Sequence, residues 1–552
     1  MDELSERYGG LLAGAYDCVD RIVLNAYNSL CHSPGGFRAW WRRLYGGCEE
    51  QLDNAHLLRM AGRFSRRVRG FAKAHGIPVI DCQRGERKHL IAEEYLATHS
   101  VESGVFLILV GRAVAPVWEV SRSAAGVIGN LAKKKAFVNH YSFHIMDPEW
   151  GHLTIKMSGH PPFGAQIILN GHEWVACQAQ AAGIGFTKEG NCFTHVADLA
   201  ALARVADTLS QPATIGRLRQ VCERWIYSAC LCFGLDSDEQ ARSGFRYAYS
   251  VYQAEYSRNL LFRVGGQMDR VFNTLVDRTR GRLDVPTLRT LFGAKHRPHH
   301  DRASGPPTLA VVIEKPRWDL TWFKVHFGRL TLKAYTKGEH VLRVEATVDN
   351  TRELGCGRML EKFPEIISRL SGMAERFCTT LDCVDVGFIA DQTLDELPRP
   401  SRLGRTKLGG VDLNQPRMRA ALAAVLALAA APRGFTVADL TAKVQQMTGQ
   451  TQTGYTIRQA AYDLRKLRGK HLIAKPGQSR RYLVPPPAAR TIAALLALHD
   501  QVIGPILAGV RSPRLGRKPA HWTAVDRDYE TLRIGMQSLF ADLGITTNSA
   551  AA

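Results

Sequence analysis

Residues 333–350 read LysAlaTyrThrLysGlyGluHisValLeuArgValGluAlaThrValAspAsn, a run whose residue types and spacing suit phosphodiester chemistry. On two strands, Tyr335 and Lys337 share one face of the first, and Arg343 and Glu345 share one face of the second. A carboxylate on a sheet beside a phenol and an ammonium can hold a divalent ion or activate the phenol as a nucleophile. Glu345, Tyr335, Lys337 and Asp349 are therefore candidate catalytic residues, with Mg2+ or Mn2+ implied if the chain is a nuclease. A solvated lattice of Lys, Glu and Arg is the competing explanation. Glu255 is a further candidate: residues 252–259 read as a helix on which Glu255 and Asn259 face the same way, so that Glu255 can share a metal with Glu345. A capped surface helix explains the same residues. His140 and His144, with His152 and His160 nearby, do not suit one metal. Four residues of strand span about 13 Å, and a half-buried strand accounts for them.

A different chemistry is written into residues 455–482. They hold eight Lys or Arg against one acid, Asp463. A helix starting near Thr456 puts Ile457, Ala460, Ala461, Leu464 and Leu467 on an apolar stripe. Its other face offers Arg458, Gln459, Tyr462, Arg465, Lys466 and Arg468, side chains suited to phosphates and base edges. Gly469 ends the helix, His471 to Lys475 form a short strand, ProGlyGlnSer turns, and Arg480, Arg481 and the residues to Val484 return. Upstream, 417–431 reads as an Ala/Leu-rich helix stopped by Pro432, and Thr436 N-caps a second helix through Met447.

This order of helix, helix, basic helix and basic hairpin over residues 414–487 resembles the winged-helix domains of MarR-like transcription regulators. The resemblance implies DNA binding, with the third helix in the major groove and Arg480, Arg481 and Lys475 near the backbone. TyrThrLys…LeuArgValGlu at 335–345 resembles the strand pair of phage-type replication initiators, although the HisXHis metal motif of rolling-circle endonucleases is absent. The stretches HisTyrSerPheHis, GlyHisProProPheGly, LeuAsnGlyHisGluTrp and ArgGlnAlaAlaTyrAspLeuArgLysLeuArgGlyLys resemble a family of long bacterial proteins. That likeness implies no particular activity.

A chain of 552 residues with 45% apolar and 22% charged residues exceeds one ordinary core. The pattern predicts a multidomain α+β protein: a helical and α/β N-terminal domain (1–130), a β-rich segment (131–205), a helical segment (206–294), a sheet-plus-helix domain (308–396), a winged helix (412–490) and a helical tail (491–552). The first 75 residues read as helical, with 55–73 placing Leu58, Phe64, Val68 and Phe71 inward. Arg59, Arg63, Arg66, Arg67, Arg69 and Lys73 then form a cationic face for phosphate or for solvent. The stretch 81–88 follows a strand where α/β proteins place ligands, but its single Gly excludes a P-loop. A hairpin at 136–157 turns at ProGluTrpGly, and 165–170 follows as a third strand. Segments 295–307 and 397–410 read as linkers.

The net charge of +21 points to a polyanionic partner, DNA ahead of RNA. No membrane partner is expected, because no apolar run is long enough to span. The acidic N-terminus lacks a secretory head, and the cytoplasm is the expected location. Twelve cysteines without a CysXXCys pair read as free thiols, not a zinc site. The sequence thus predicts a bacterial nucleic-acid-binding protein of a mobile element, replication or defence system. A metal-dependent nuclease and a ligand-sensing transcription regulator are the alternatives.

Overall fold

A computed structural model describes residues 3–503 except 84, 124–127, 283–288, 293–307, 316–320, 328–329, 386–392, 432–433 and 450–453, with isolated positions between 527 and 538. The linker expected at 295–307 and most of the 491–552 tail lie outside the described residues. Two compact units form. The larger comprises Gly9–Met268 and Arg329–Ala374; the smaller comprises Met1–Tyr8, Asp269–Gly328 and Glu375–Ala552.

The larger unit is built on consecutive strands of a mixed sheet, in the order Leu330–Lys337, Val341–Val348, Ala248–Phe262, Leu12–Tyr27, Ala165–Asn170, Gly151–Ser158, Ile128–Asp147, Gly104–Arg122 and Val79–Asp81. Neighbours run antiparallel except the last pair. Strand 151–158 shows how the faces divide. Leu153, Ile155 and Met157 are buried, while His152, Thr154 and Lys156 on the opposite face are half-buried. The sequence alternates apolar and polar because one face is packed and the other is not.

Helices cover the apolar face. Helix Asn54–Ala74 sets Phe64 with its ring centroid 4.8 Å from that of Tyr141 and 5.8 Å from that of Phe163. Helix Pro34–Leu44 contributes Phe37, Trp40 and Trp41, which meet Trp118 and Phe245. The turn between strands 128–147 and 151–158 is pinned by the buried Asp147. Its Oδ1 accepts from the backbone N–H groups of Glu149 and Trp150 at 2.8 and 2.9 Å; its Oδ2 accepts from Arg224 and the Trp225 indole, both at 2.7 Å.

Several sequence readings are corrected here. Residues 12–27, expected to be helical, form a central strand, and so do 248–262, which carry Glu255. Side chains on both faces of these strands are largely buried, so the two-residue period is blurred. Tyrosines at 249, 252 and 256 also imitate helical spacing. One sheet therefore collects strands that the sequence reading assigned to separate domains. In helix 54–74 the inward stripe is Leu57, Met60, Phe64 and Val68, and Leu58 is 66% exposed. Part of its cationic face is matched by carboxylates: Arg63 pairs with Glu239 at 2.7 Å, Arg67 with Asp236 at 3.4 Å and Arg69 with Asp81 at 2.7 Å.

In the smaller unit, Thr308–Lys315 pairs antiparallel with Thr321–Phe327, and Arg289–Phe292 runs parallel to the former. Helices Pro416–Ala427, Val437–Thr448, Ile457–Gly469 and Pro486–Ala497 bury Leu422, Val425, Leu440, Val444, Leu464, Leu467, Ile492 and Leu495. Capping boxes start the second and third helices, Thr436 with Asp439 and Thr456 with Gln459. After the third helix, Ala474 bridges to Leu483 and Tyr482 to Phe435. The expected linker 397–410 is instead folded in part. Ser401–Leu403 and Thr406–Leu408 form a hairpin whose Leu408 is buried, and Lys470 donates to the Glu396 carbonyl at 2.5 Å.

Phe64 has no exposed surface and sits among three aromatic rings. Phe64→Ala should destabilise the larger unit by about 3–5 kcal/mol, read as a lower urea midpoint at unchanged slope; an unchanged midpoint would contradict this packing.

Candidate functional site

Four adjacent strands of the larger unit line up polar residues on one face. Tyr335 stands opposite Arg343, Arg343 opposite Asn259, and Asn259 opposite Tyr16. In the next row Lys333, Glu345, Ser257 and Cys18 align, and beyond them Thr331, Thr347 and Glu255. Alternate residues of a strand share a face, so this is one continuous polar strip.

Arg343 lies at its centre, with no exposed surface. Its Nε donates to Asn259 Oδ1 at 2.6 Å, one terminal nitrogen to Asp20 Oδ2 at 3.1 Å and the other to the Asn191 carbonyl at 2.6 Å, with His172 Nε2 at 3.3 Å. Asp20 Oδ1 meets His172 Nδ1 at 3.2 Å and accepts from the Asn191 amide at 2.9 Å. His172 reaches this position because helix Gly171–Ala181 starts against the 12–27 strand. A Cβ on Gly171 would run into the Val19 carbonyl oxygen. Burial pushes the Asp20 carboxyl up, but the hydrogen bond from His172 and the charge of Arg343 outweigh it and hold Asp20 well below its ordinary range. Burial keeps the His172 imidazole neutral against the pull of Asp20.

Glu345 belongs to the adjoining row. Its oxygens accept from Lys333 at 2.6 Å, Thr347 at 2.8 Å and Tyr335 at 2.7 Å. Burial opposes its ionisation, and Lys333 with these hydrogen bonds restores it. Burial and the Glu345 charge push the Tyr335 phenol far above its ordinary value, opposite to what an activated nucleophile needs. Glu255 sits on a strand, not a helix, yet it does lie beside Glu345; burial and then that charge push its carboxyl up to about 8. Gln253 donates to it at 3.0 Å. Lys337 is pushed down to about 8 by burial and by Arg343. The strip thus pairs a neutral acid, Glu255, with an ionised one, Glu345, and holds a partly deprotonated lysine beside Arg343. Such divergent neighbours suit proton transfer. Asp349 is exposed at the end of its strand, beyond the strip.

Of the residues singled out in the sequence, the structure joins Tyr335 to Glu345 and sets Lys337 two residues further along the strand of Tyr335; Asp20, His172 and Lys333 were not singled out. Of these, only Lys333 had a local signal, its two-residue offset from Tyr335. Further across the sheet, His144 Nδ1 meets His152 Nε2 at 3.0 Å, and His140 Nδ1 lies 3.3 Å from the Val138 carbonyl. Among the described residues, no three His, Cys, Asp or Glu side chains are arranged to hold a metal ion. The eleven cysteines described are all free.

The smaller unit carries the basic helix 457–469. Its exposed positions include Arg458, Tyr462 and Arg465, one turn apart along a single face, together with Ile457 at 61% exposure. Ile457 was expected on the buried stripe, but as the first residue of the helix it precedes the packed turns. Asp463 is fully buried, accepting from Tyr455 and Arg417, both at 3.1 Å. Lys466, expected on the open face, is 9% exposed; its ammonium lies 5.1 Å from the Tyr462 ring centroid, and its side chain packs near Gly409. Gln459 caps the helix through its side-chain oxygen. Arg468 is half-buried. In the following turn Arg480 is exposed, Lys475 half-buried over Tyr482, and Arg481 donates to the Gly434 carbonyl at 3.0 Å. No protein-family model, no curated protein and no solved structure matches this chain.

The unfolded chain gives up the Glu255 proton near pH 4.5 and the folded one near 8. Between these values the folded state binds more protons, so stability falls as pH rises through that window. In thermal melts from about pH 5 to 8, wild type should lose stability relative to Glu255→Gln, which lacks this titration. Parallel pH profiles would contradict the assignment.

Proposed function

We propose that the chain binds nucleic acid, duplex DNA in the first instance, through the exposed face of helix 457–469, with the following turn against the backbone. One observation carries this reading: the sole acid of the basic 455–482 segment is turned inward onto Arg417 and Tyr455, so the outward face offers Arg458, Tyr462 and Arg465 and no carboxylate. A solvated helix face ordinarily mixes signs, and a face of one sign fits a polyanion. The three-helix order with its bridged basic turn is the arrangement in which winged-helix proteins present a recognition helix. The chain's net charge of +21 acts in the same direction.

The side chains divide by what they can reach. Arg458 and Tyr462, early in the helix and exposed, suit base edges; Arg465 and Arg480 suit phosphates. Lys466 is committed to Tyr462 and supports the helix from behind. Replacing Arg465 and Arg480 by Ala should weaken binding to every duplex by roughly tenfold or more at moderate salt. Arg458→Ala should change which duplex is preferred, and Lys466→Met should change affinity least. Fluorescence anisotropy against a panel of labelled duplexes reads all three. Equal affinity of wild type and the Arg465/Arg480 double variant would remove this helix from the account.

A further inference from the structure

The larger unit carries a second cationic feature that the basic helix does not explain. Lys88 is the first residue of helix Lys88–Thr98, at the end of the 81–88 segment. Its ammonium lies over Gly111, where a Cβ would stand 2.9 Å from Nζ; the absence of a side chain at 111 makes the room. Gly111 is in register with His140, and Leu109, Ser142, Lys156, Gln166 and Asn25 form the row two residues along. Lys88 therefore stands over the same polar face from which Lys156 projects, about 7 Å from one row to the next. Asn25 and Gln166 are joined side chain to side chain at 2.9 Å, which fixes one wall.

Both lysines are half-buried, and among the described residues no carboxylate is found acting on either. Lys88 is held down by burial, beside a Cys82 thiol that burial itself raises; Lys156 is held down by burial and by the like charges of Arg21 and Lys88. His140 feels both lysines and is lowered by burial and by them. Arg21 also acts on Glu255, Glu173 acts on His152, and Glu86 acts on Cys82. Two ammonium groups gathered on a partly covered sheet without a counter-ion are unfavourable unless an anion completes them.

We propose that Lys88, Lys156 and His140 form a binding site for the phosphate of a phosphate ester, with Asn25, Gln166 and Ser142 as neutral hydrogen-bonding partners. The two lysines supply charge-assisted donors. A free phosphorylated small molecule and the backbone of a single strand share this chemistry.

The test uses the full chain carrying Arg458→Ala, Arg465→Ala and Arg480→Ala, so that failure of the helix reading and failure of this one stay distinguishable. Pyrophosphate and a labelled single-stranded oligonucleotide are titrated separately by calorimetry and anisotropy. Binding of either probe should weaken about tenfold or more in Lys88→Met and in Lys156→Met, and in Gly111→Leu, which fills the space of the Lys88 ammonium without removing a charge. Pyrophosphate binding alone identifies a small-molecule site, and oligonucleotide binding alone a strand track. Without ligand, Lys156→Met should melt no lower than its parent, which separates lost binding from lost folding. Absence of binding to both probes at millimolar concentration, or equal binding by parent and variants, overturns the proposal.

Discussion

The guanidinium of Arg343 is the constraint on which the larger unit depends. It has no exposed surface, and it reaches residues from the 248–262 strand, the 12–27 strand, the turn at Asn191 between the paired strands Phe186–Lys188 and Phe193–Val196, and the helix Gly171–Ala181. Removing an ion from water costs several kcal/mol, and only a complete set of partners offsets that. Here Asp20, Asn259, the Asn191 carbonyl and His172 form the set, and each is held by something else in turn. Removing Asp20 would leave a buried cation unpaired, whereas a matched apolar replacement of the whole group would be far milder. The network therefore specifies which strands lie side by side more than it adds to stability.

That specification gives the sheet its two characters. One face is an aromatic and aliphatic core under helices 34–44 and 54–74. The other is a strip of charged and polar side chains running from Lys333 and Glu345 across Arg343 and Glu255 to Lys156 and His140. Burying so many polar groups on one side of a sheet is unfavourable wherever water could not otherwise reach them, and most are paired for that reason. Lys88 and Lys156, on which no carboxylate acts among the described residues, are where the proposed ligand has something to supply. The basic helix of the smaller unit follows the same logic in reverse: its acid is buried on Arg417, and Arg458 and Arg465 are left outside.

Parts of this were legible in the sequence. The hairpin turning at 148–151 was readable because Asp147 and Gly151 are turn residues between alternating strands. The C-terminal helices were readable because Thr436 and Thr456 are capping residues ahead of apolar periods. The strands 12–27 and 248–262 were not, since side chains on both of their faces are largely buried and the alternation that marks a strand is lost. The 401–408 hairpin hid behind Pro, Gly and Arg residues typical of linkers; only the packing of Leu408 shows that it is folded. Glu345 with Tyr335 was legible from local spacing. Asp20 and His172 were not, because their partner Arg343 lies more than 170 residues away in the chain, and no short motif records such a contact.

The central claim, a polyanion held by phosphate contacts, is tested most directly by the salt dependence of binding by the wild-type chain. Logarithms of affinity for a fixed duplex, plotted against the logarithm of salt concentration, should fall on a line. A slope of about −0.9 for each phosphate contacted would give several units in total. A slope near zero, or no measurable association at low salt, would contradict the account.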